Sequence, residues 1–236
     1  MTSPRVLLII PCFNEQASIT ALLKEIADLG EGLEVLVIDD GSQDDTFLAA
    51  RRLSPAVRLI RNLGIGGAVQ TGIKYAEQKD FDFCVQIDGD GQHPPGQVSA
   101  LLGAYASKPA EIIVGSRFLN NDTFRSTWTR RLGGRTIARA LNYLFPNCRI
   151  SDPTSGMRLM DRRAIRFFSR HYPYDFPEPI SLAWALRAGM RVRDVPVEMR
   201  ARERGCTSIA GVKPLVYMFR VLGYILLARL KRTPLS

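Results

Sequence analysis

The chain has 236 residues, 46% of them hydrophobic, which is enough to bury a sizeable core as one large α/β domain or two small ones and excludes a disordered chain. Its net charge of +9 calls for an anionic partner, whether nucleic acid, a phosphorylated substrate or anionic lipid. Four scattered cysteines (Cys12, Cys84, Cys148, Cys206) with no C-x-x-C pair, and only His93 and His171 beside them, exclude a disulfide framework and a zinc site and read as reduced thiols in a cytosolic compartment.

Residues 5–10 (R-V-L-L-I-I) form a continuous apolar run, as in a strand buried on both faces of a parallel sheet, and Pro11 is expected to end it. The run is too short, and too soon followed by polar residues, to be a secretory signal. C-F-N-E follows, then a helix over about 17–29 with Ile19, Leu22, Leu23, Ile26 and Leu29 on one face and Gly30 and Gly32 as its stop. A second strand over 33–38 ends at Asp39-Asp40-Gly41-Ser42. A helix over 46–53 leads to a third strand over 57–60. Then R-N-L-G-I-G-G-A enters a helix reaching about Glu77, and 83–87 returns as a fourth strand. This alternation means βαβ units with right-handed crossovers, and ligands of such sheets bind off the carboxyl ends of the strands. Three polar motifs, 13–15, 39–42 and 88–92, fall at those ends. Gly64, Gly66 and Gly67 match neither a dinucleotide fingerprint nor a P-loop; close helix packing or contact with a nucleotide are the two readings.

The stretch C84-V-Q-I-D-G-D-G-Q-H-P-P95 carries the sharpest chemical signal. Carboxylates at i and i+2 of an extended segment point the same way, so Asp88 and Asp90 place like charges side by side. Either the turn is simply solvated, or a hard divalent ion such as Mg²⁺ or Mn²⁺ compensates the pair, with Gln92 as a further oxygen ligand and phosphate and water completing the shell.

The second half is less regular. A short strand over 112–114 feeds Gly115-Ser116-Arg117-Phe118, a polar loop spans 120–128, and a basic helix over 129–144 carries Arg130, Arg131, Arg135 and Arg139, either as a solvated face or as a phosphate clamp. D152-P-T-S-G-M-R is a structured turn, 163–168 a short helix, and Pro177-Glu178-Pro179 the entry to a helix over 180–188. A last strand covers 192–199, followed by a basic loop over 200–208. Between 212 and 230 the chain is strongly apolar, yet Lys213, Arg220 and Arg229 interrupt it and its longest uncharged stretch, 221–228, is far short of the roughly 20 residues of a spanning helix. An amphipathic helix with Leu215, Phe219, Leu222 and Leu226 on one side would lie in a bilayer interface, meet a partner or pack on the domain.

Taken together, P11-C-F-N-E15, V37-I-D-D-G-S42, N62-L-G-I-G-G-A68, D88-G-D-G-Q-H-P-P95, G115-S-R-F118, D152-P-T-S-G156 and R202-E-R-G-C-T207 resemble family 2 glycosyltransferases of the GT-A fold. Within that family the pattern is similar to the polyprenol-phosphate sugar transferase branch that includes dolichol-phosphate mannose synthases. The resemblance implies an α/β GT-A domain over 1–210, with a mostly parallel sheet, and an amphipathic tail over 211–236. It further implies that Pro11, Phe13 and Glu15 cradle base and ribose and that Asp39 or Asp40 contacts the base. Asp88, Gly89 and Asp90 would engage the diphosphate and its Mg²⁺ or Mn²⁺ with Gln92, and Arg117, Arg131 and Arg202 would surround the donor and acceptor phosphates. The family pattern has a lysine where this chain has Ser208, so one cationic contact to an acceptor phosphate is missing.

The chemistry expected is inverting displacement at an anomeric carbon, with Asp90, Arg117 and Arg202 at the reacting groups. A polyprenyl phosphate acceptor at the cytoplasmic membrane face is already ionised and needs no base. A hydroxyl of a lipid-linked or cell-surface polysaccharide precursor needs one, and Glu178 is the first candidate, ahead of Asp152 and Asp175; its alternative role is a helix N-terminal carboxylate. The expected partners are a nucleotide-diphosphate sugar, a lipid phosphate or glycan acceptor, and a membrane surface or small membrane protein, with no nucleic acid. The expected location is cytoplasmic, peripheral to the inner face of the cell membrane. A sugar nucleotidyltransferase should open with a G-x-G-T-R loop where this chain has P-C-F-N-E, and a non-catalytic homologue should lack Asp88, Asp90 or Arg202.

Overall fold

The computed structural model describes residues 4–30, 32–119, 128–146, 148–200 and 213–230, with side chains in all but 128–130 and 213–215. The elements run β1 (Val6–Cys12), α1 (Gln16–Asp28), β2 (Leu33–Asp39), α2 (Thr46–Arg51), β3 (Ala56–Arg58), α3 (Gly64–Gln78), β4 (Phe83–Gln86), α4 (Val98–Ser107) and β5 (Ile112–Ser116). They continue with α5 (Trp128–Leu144), β6 (Arg158–Asp161), α6 (Arg162–Arg170), α7 (Pro177–Arg187), β7 (Val192–Pro196) and α8 (Lys213–Leu230).

The strands form one sheet in the order β3-β2-β1-β4-β6-β5-β7. Only β6 runs antiparallel to its neighbours, so every other strand points its carboxyl end to the same edge. The continuous apolar run of β1 is buried on both faces, as such runs require: Leu7 and Ile9 pack with α3, whereas Leu8 and Ile10 pack with α1 and α4 residues such as Ile19 and Leu101.

The structure revises the element boundaries in several places. β1 continues through Pro11 and Cys12, which contradicts the expectation that Pro11 ends it. Alternate residues of a parallel strand bond to opposite neighbours. Ile9 O accepts from Ile87 N at 3.2 Å on the β4 side, and Cys12 O accepts from Asp40 N at 2.8 Å on the β2 side. Pro11 thus faces β4, whose strand has ended at Gln86, and its missing N–H breaks no ladder bond. Leu29 lies outside the apolar face of α1 and is exposed, because the chain leaves the helix there through Gly30, whose φ is +86°. Ile60 falls beyond β3 and is fully exposed.

Two elements have no counterpart in the sequence expectation, α4 and β6. The reversal of β6 matters for function. It brings the amino end of that strand to the edge where the other strands end, and so delivers the preceding turn, Asp152–Gly156, to the same rim. Gly66 fulfils the packing reading of the glycine cluster: a Cβ there would lie 2.5 Å from Tyr174 O. A Cβ on Gly72 would lie 2.9 Å from Ile9 Cγ2, so α3 sits directly on β1.

Candidate active site

The first two rim motifs are latched together by their own side chains. Asn14, at φ 55°, donates its N–H to Ser42 Oγ at 2.9 Å and accepts from Gln43 N at 2.8 Å; Glu15 N donates to Thr46 Oγ1 at 2.9 Å. Pro11 is buried in β1, and Phe13 presents a 43% exposed side chain at the rim. Asp39 and Asp40 differ sharply in role. Asp40 Oδ1 accepts from Leu63 N at 2.7 Å and thereby holds the start of α3; burial raises its pKa against the pull of the Leu63 and Gly64 amides. Asp39 is fully buried at the end of β2: Oδ1 accepts from Ser42 N at 3.2 Å, and Oδ2 has Arg58 Nε at 3.3 Å as an ion pair but no hydrogen bond of proper geometry. Asp39 Oδ2 thus lies buried beside the Arg58 guanidinium with no hydrogen bond among the described residues.

The D-x-D turn folds back over the end of β1. A Cβ on Gly89 would collide with Cys12 Sγ and lie 3.2 Å from Pro11 O, so glycine is what lets the turn approach this closely. Ser18 Oγ lies 2.9 Å from Gly89 O and 3.0 Å from Glu15 Oε2, joining α1 to the turn. Asp90 Oδ1 accepts from Gln92 N at 3.0 Å, Gln92 Nε2 donates to Arg200 O at 3.4 Å, and Arg200 N donates to Gln92 O at 2.9 Å. Arg200 is itself clamped by Glu25 at 2.7 and 2.8 Å. Asp88 keeps a 35% exposed carboxylate, with buried His93 below it: Nδ1 is 3.6 Å from Asp88 Oδ2 and accepts from Asp88 N at 3.4 Å.

The charge at this point is strongly negative. Burial drives the Cys12 thiol pKa well above its usual value, and the charges of Glu15, Asp39, Asp88 and Asp90 all add to the rise. No group of three or more His, Cys, Asp or Glu among the described residues forms a complete metal cage. Two partly exposed carboxylates on one turn, in a field of further carboxylates, nevertheless fit a hard divalent ion that takes its other ligands from phosphate and water. Asp88 and Asp90 would hold it; Gln92, whose amide nitrogen is directed at Arg200 O, has only its amide oxygen to offer.

Across the rim, Arg117 follows β5 and is gripped by fully buried Asp152. Its Nε and Nη2 donate to the two carboxylate oxygens at 2.6 Å each, its backbone N donates to Oδ2 at 3.1 Å, and Nη2 also reaches Thr154 Oγ1 at 2.8 Å. Burial works against the guanidinium charge, but the Asp152 bonds and charge, with Asp88 and Glu178 behind them, raise its pKa overall. Gly156 lies in the same turn; a Cβ there would stand 2.5 Å from both Asp88 carboxylate oxygens. Glu178 sits in the first turn of α7, whose N-cap Phe176 adopts the left-handed region at φ 48°. Burial raises the Glu178 pKa, Arg158 opposes the rise, Asp88 adds to it and Arg117 counters it. Asp88, Arg117 and Glu178 therefore share one electrostatic neighbourhood.

Arg131 is exposed on α5, which approaches Arg117's neighbour through Gly134, 3.9 Å from the Phe118 ring if given a Cβ. Arg202 and Ser208 lie outside the described residues. Sequence reading missed His93, buried Arg158 and Asp194. Arg158 donates to Ser155 O, Pro153 O and Ser181 Oγ at 2.8–2.9 Å and shapes the turn from inside. The H-P-P run after D-x-D-x-Q was the available signal for His93; for Asp194 there was none.

A family model described as "Glycosyl transferase family 2" matches residues 7–168. The chain therefore belongs to that family, and it is a glycosyltransferase. It is 28% identical over 242 residues to a polyprenol monophosphomannose synthase of Mycolicibacterium smegmatis, covering 97% of this chain and 89% of the relative. It is 30% identical to an undecaprenyl-phosphate mannosyltransferase of Micrococcus luteus, covering 88% of each. Among solved structures, glucosyl-3-phosphoglycerate synthase of Mycobacterium tuberculosis, crystallised with Mn²⁺ and UDP, superposes with a TM-score of 0.69 at 21% identity over 96% of this chain and 80% of that one. The fold is thus GT-A, as the resemblance carried by the rim motifs implied.

Proposed function

We propose that the protein transfers a sugar from a nucleotide-diphosphate sugar to a polyprenyl phosphate, with inversion, using Mg²⁺ or Mn²⁺ held by Asp88 and Asp90. The observation that carries this reading is the meeting of Asp88 and Arg117 on one rim, in a chain similar over nearly its whole length to a polyprenol monophosphomannose synthase. An oxygen of the lipid phosphate attacks the anomeric carbon. The new C–O bond forms as the bond to the β-phosphate oxygen breaks, and the electron pair leaves with the nucleoside diphosphate. A divalent ion bound at the aspartates supplies neutralisation of charge on that leaving group. Arg117, held rigid by Asp152, supplies fixed positive charge to the phosphates, while Asp39 and Phe13 serve the base and ribose.

A phosphate monoester with a second pKa of about 6 is mostly ionised at neutral pH, so this reaction requires no general base. Glu178 supports a second reading. Burial raises its pKa, with Asp88 and Arg117 among the charges that act on it, and a carboxylate in this neighbourhood would serve as the base a hydroxyl acceptor requires. One comparison separates the two: polyprenyl phosphate against the unphosphorylated polyprenol as acceptor, each with native protein and Glu178→Gln. The first reading expects transfer to the phosphate only and little effect of the substitution; transfer to the alcohol, abolished by Glu178→Gln, would establish the second. Donor identity is read by thermal shift across a panel of nucleotide sugars with Mn²⁺.

The tail supports a surface location. No helix among the described residues is long and apolar enough to cross a membrane. α8 buries Val221, Ile225 and Ala228 against the domain, yet leaves Phe219, Leu226, Leu227 and Leu230 exposed. That second face, with Arg220 and Arg229, would lie on anionic lipid at the inner face of the cell membrane or on a small membrane-protein partner, which would keep the rim within reach of a lipid phosphate.

A further inference from the structure

Asp194 lies on β7, three strands away from β4 and the D-x-D turn that follows it, and belongs to none of the motifs that define the site. Its Oδ2 nevertheless accepts from Ser151 N at 2.5 Å, Ser151 Oγ at 2.6 Å and Asp152 N at 3.2 Å. Asp152 is the residue that grips Arg117 through three bonds. Ser151 Oγ also lies 2.7 Å from Ser116 Oγ, which accepts from Phe118 N at 3.2 Å. Two hydrogen-bonded paths thus leave one carboxylate oxygen and arrive on either side of Arg117, one through Asp152 and one through Ser151 and Ser116.

The arrangement is costly in a way that a purely structural serine turn would not need. Asp194 is placed close enough to Asp152 for like-charge repulsion, and burial raises its pKa despite the Ser151 and Asp152 donors. Its Oδ1 is buried without a hydrogen-bond partner among the described residues. An alcohol or a backbone carbonyl could cap the Ser151 amide without these penalties. A fixed carboxylate accepting three donors at one point, in contrast, fixes the direction in which the Asp152 carboxylate leaves the backbone, and with it the plane of the guanidinium.

We propose that Asp194 is the positioning residue for Arg117: it locks the Ser151–Asp152 backbone so that the guanidinium is held at the rim opposite Asp88. The proposal rests on the role given to Arg117 above. Displacing a phosphate-binding group by about 1 Å costs on the order of 10²-fold in rate, so Asp194→Ala should lower kcat by about 10- to 100-fold with donor affinity little changed. Asp194→Asn, which keeps an acceptor oxygen, should recover most of that loss.

The test is a double-mutant cycle of Asp194→Ala with Arg117→Ala, read by sugar transfer, together with hydrogen exchange over 116–118 and 151–154 in each protein. Asp194→Ala in the Arg117→Ala background should cause little additional loss, because no guanidinium remains to be positioned. Exchange should quicken in both segments in Asp194→Ala while the rest of the sheet is unchanged. Full activity of Asp194→Ala, or losses that multiply across the cycle, would overturn the positioning role. Should Asp194→Ala not fold, Ser151→Ala removes the hydroxyl bonds to Asp194 and Ser116 while leaving the two backbone N–H bonds to Asp194, and must show the same non-additivity on a smaller scale. Failure of the site reading looks different: Arg117→Ala would itself be fully active, whatever the exchange data show.

Discussion

Gly156 offers a sharp perturbation of the site, because its surroundings fix the displacement directly. Its replacement by alanine would put a Cβ 2.5 Å from both oxygens of Asp88. An unstrained carbon–oxygen contact needs about 3.3–3.6 Å, so the carboxylate must retreat by about 1 Å. Gly156 is not among the glycines with positive φ, so its backbone accepts alanine without strain. The Asp88 side chain is 35% exposed and can swing outward, so the fold should survive with a small change in Tm. The site should not. A 1 Å error in a group that aligns the reacting atoms costs on the order of 10²-fold, or about 3 kcal/mol of transition-state stabilisation. The assay is kcat/KM for sugar transfer as a function of Mn²⁺ concentration, with Tm measured on the same samples. The expected result is a large loss, with the Mn²⁺ dependence moved to higher concentration. Unchanged turnover with an unchanged Mn²⁺ requirement would refute the placement of Asp88 at the metal, and a loss matched by collapse of Tm would show Gly156 to be structural only.

Asp90→Asn should abolish metal-dependent turnover and leave the fold intact, since it relieves one of the clustered negative charges; full activity would remove the metal assignment. Glu111 gives a pH prediction away from the site. Burial opposes its charge, but the Arg191 side chain and backbone N–H bonds prevail and hold its carboxyl at about 2, down from 4.5. Its contribution is present above pH 4.5 and is lost as pH falls toward about 2, so Glu111→Gln should lower urea-measured stability by roughly 1–3 kcal/mol at pH 7 and make little difference near pH 2. In α8 the two faces should separate: Ile225→Ala should cost about 2–4 kcal/mol of stability, while Phe219→Ser with Leu226→Ser should weaken binding to anionic liposomes and leave Tm nearly unchanged. Equal liposome binding by the Phe219/Leu226 double variant would dismiss the lipid-facing role of that face.

The parallel half of the sheet and its rim were legible because β1 is an uninterrupted apolar run and β2 and β4 are mostly apolar, broken only by Glu34 and Gln86, each run leading into a polar motif. The reversed strand β6 was not. It is four residues long, R-L-M-D, and its arginine is buried, satisfied by three acceptors that only the folded turn supplies. Pro11 was read as a breaker because the side of β1 that its missing N–H would face depends on where β4 stops. The residues proposed to meet the metal and phosphates, Asp88, Asp90 and Arg117, came from motif spacing. The contacts behind them, Asp152 to Arg117 and Asp194 to Ser151, join parts of the chain 35 and 43 residues apart, which local spacing does not encode. Asp40 was grouped with Asp39 in the sequence, and the fold divides them: one caps the entry to α3, and the other is buried at the end of β2 beside Arg58.

The central claim is tested most directly by the chemical identity of the product. Purified protein is incubated with a labelled nucleotide sugar and a polyprenyl phosphate in detergent, with Mn²⁺ or with chelator, and the lipid fraction is analysed by mass spectrometry and by NMR at the anomeric carbon. The expected product is a polyprenyl phosphate carrying one sugar through a phosphodiester, with the anomeric configuration opposite to that of the donor, formed only when the divalent ion is present. Retained configuration, undiminished transfer under chelation, or a sugar attached to a hydroxyl while the lipid phosphate stays unmodified would contradict the account.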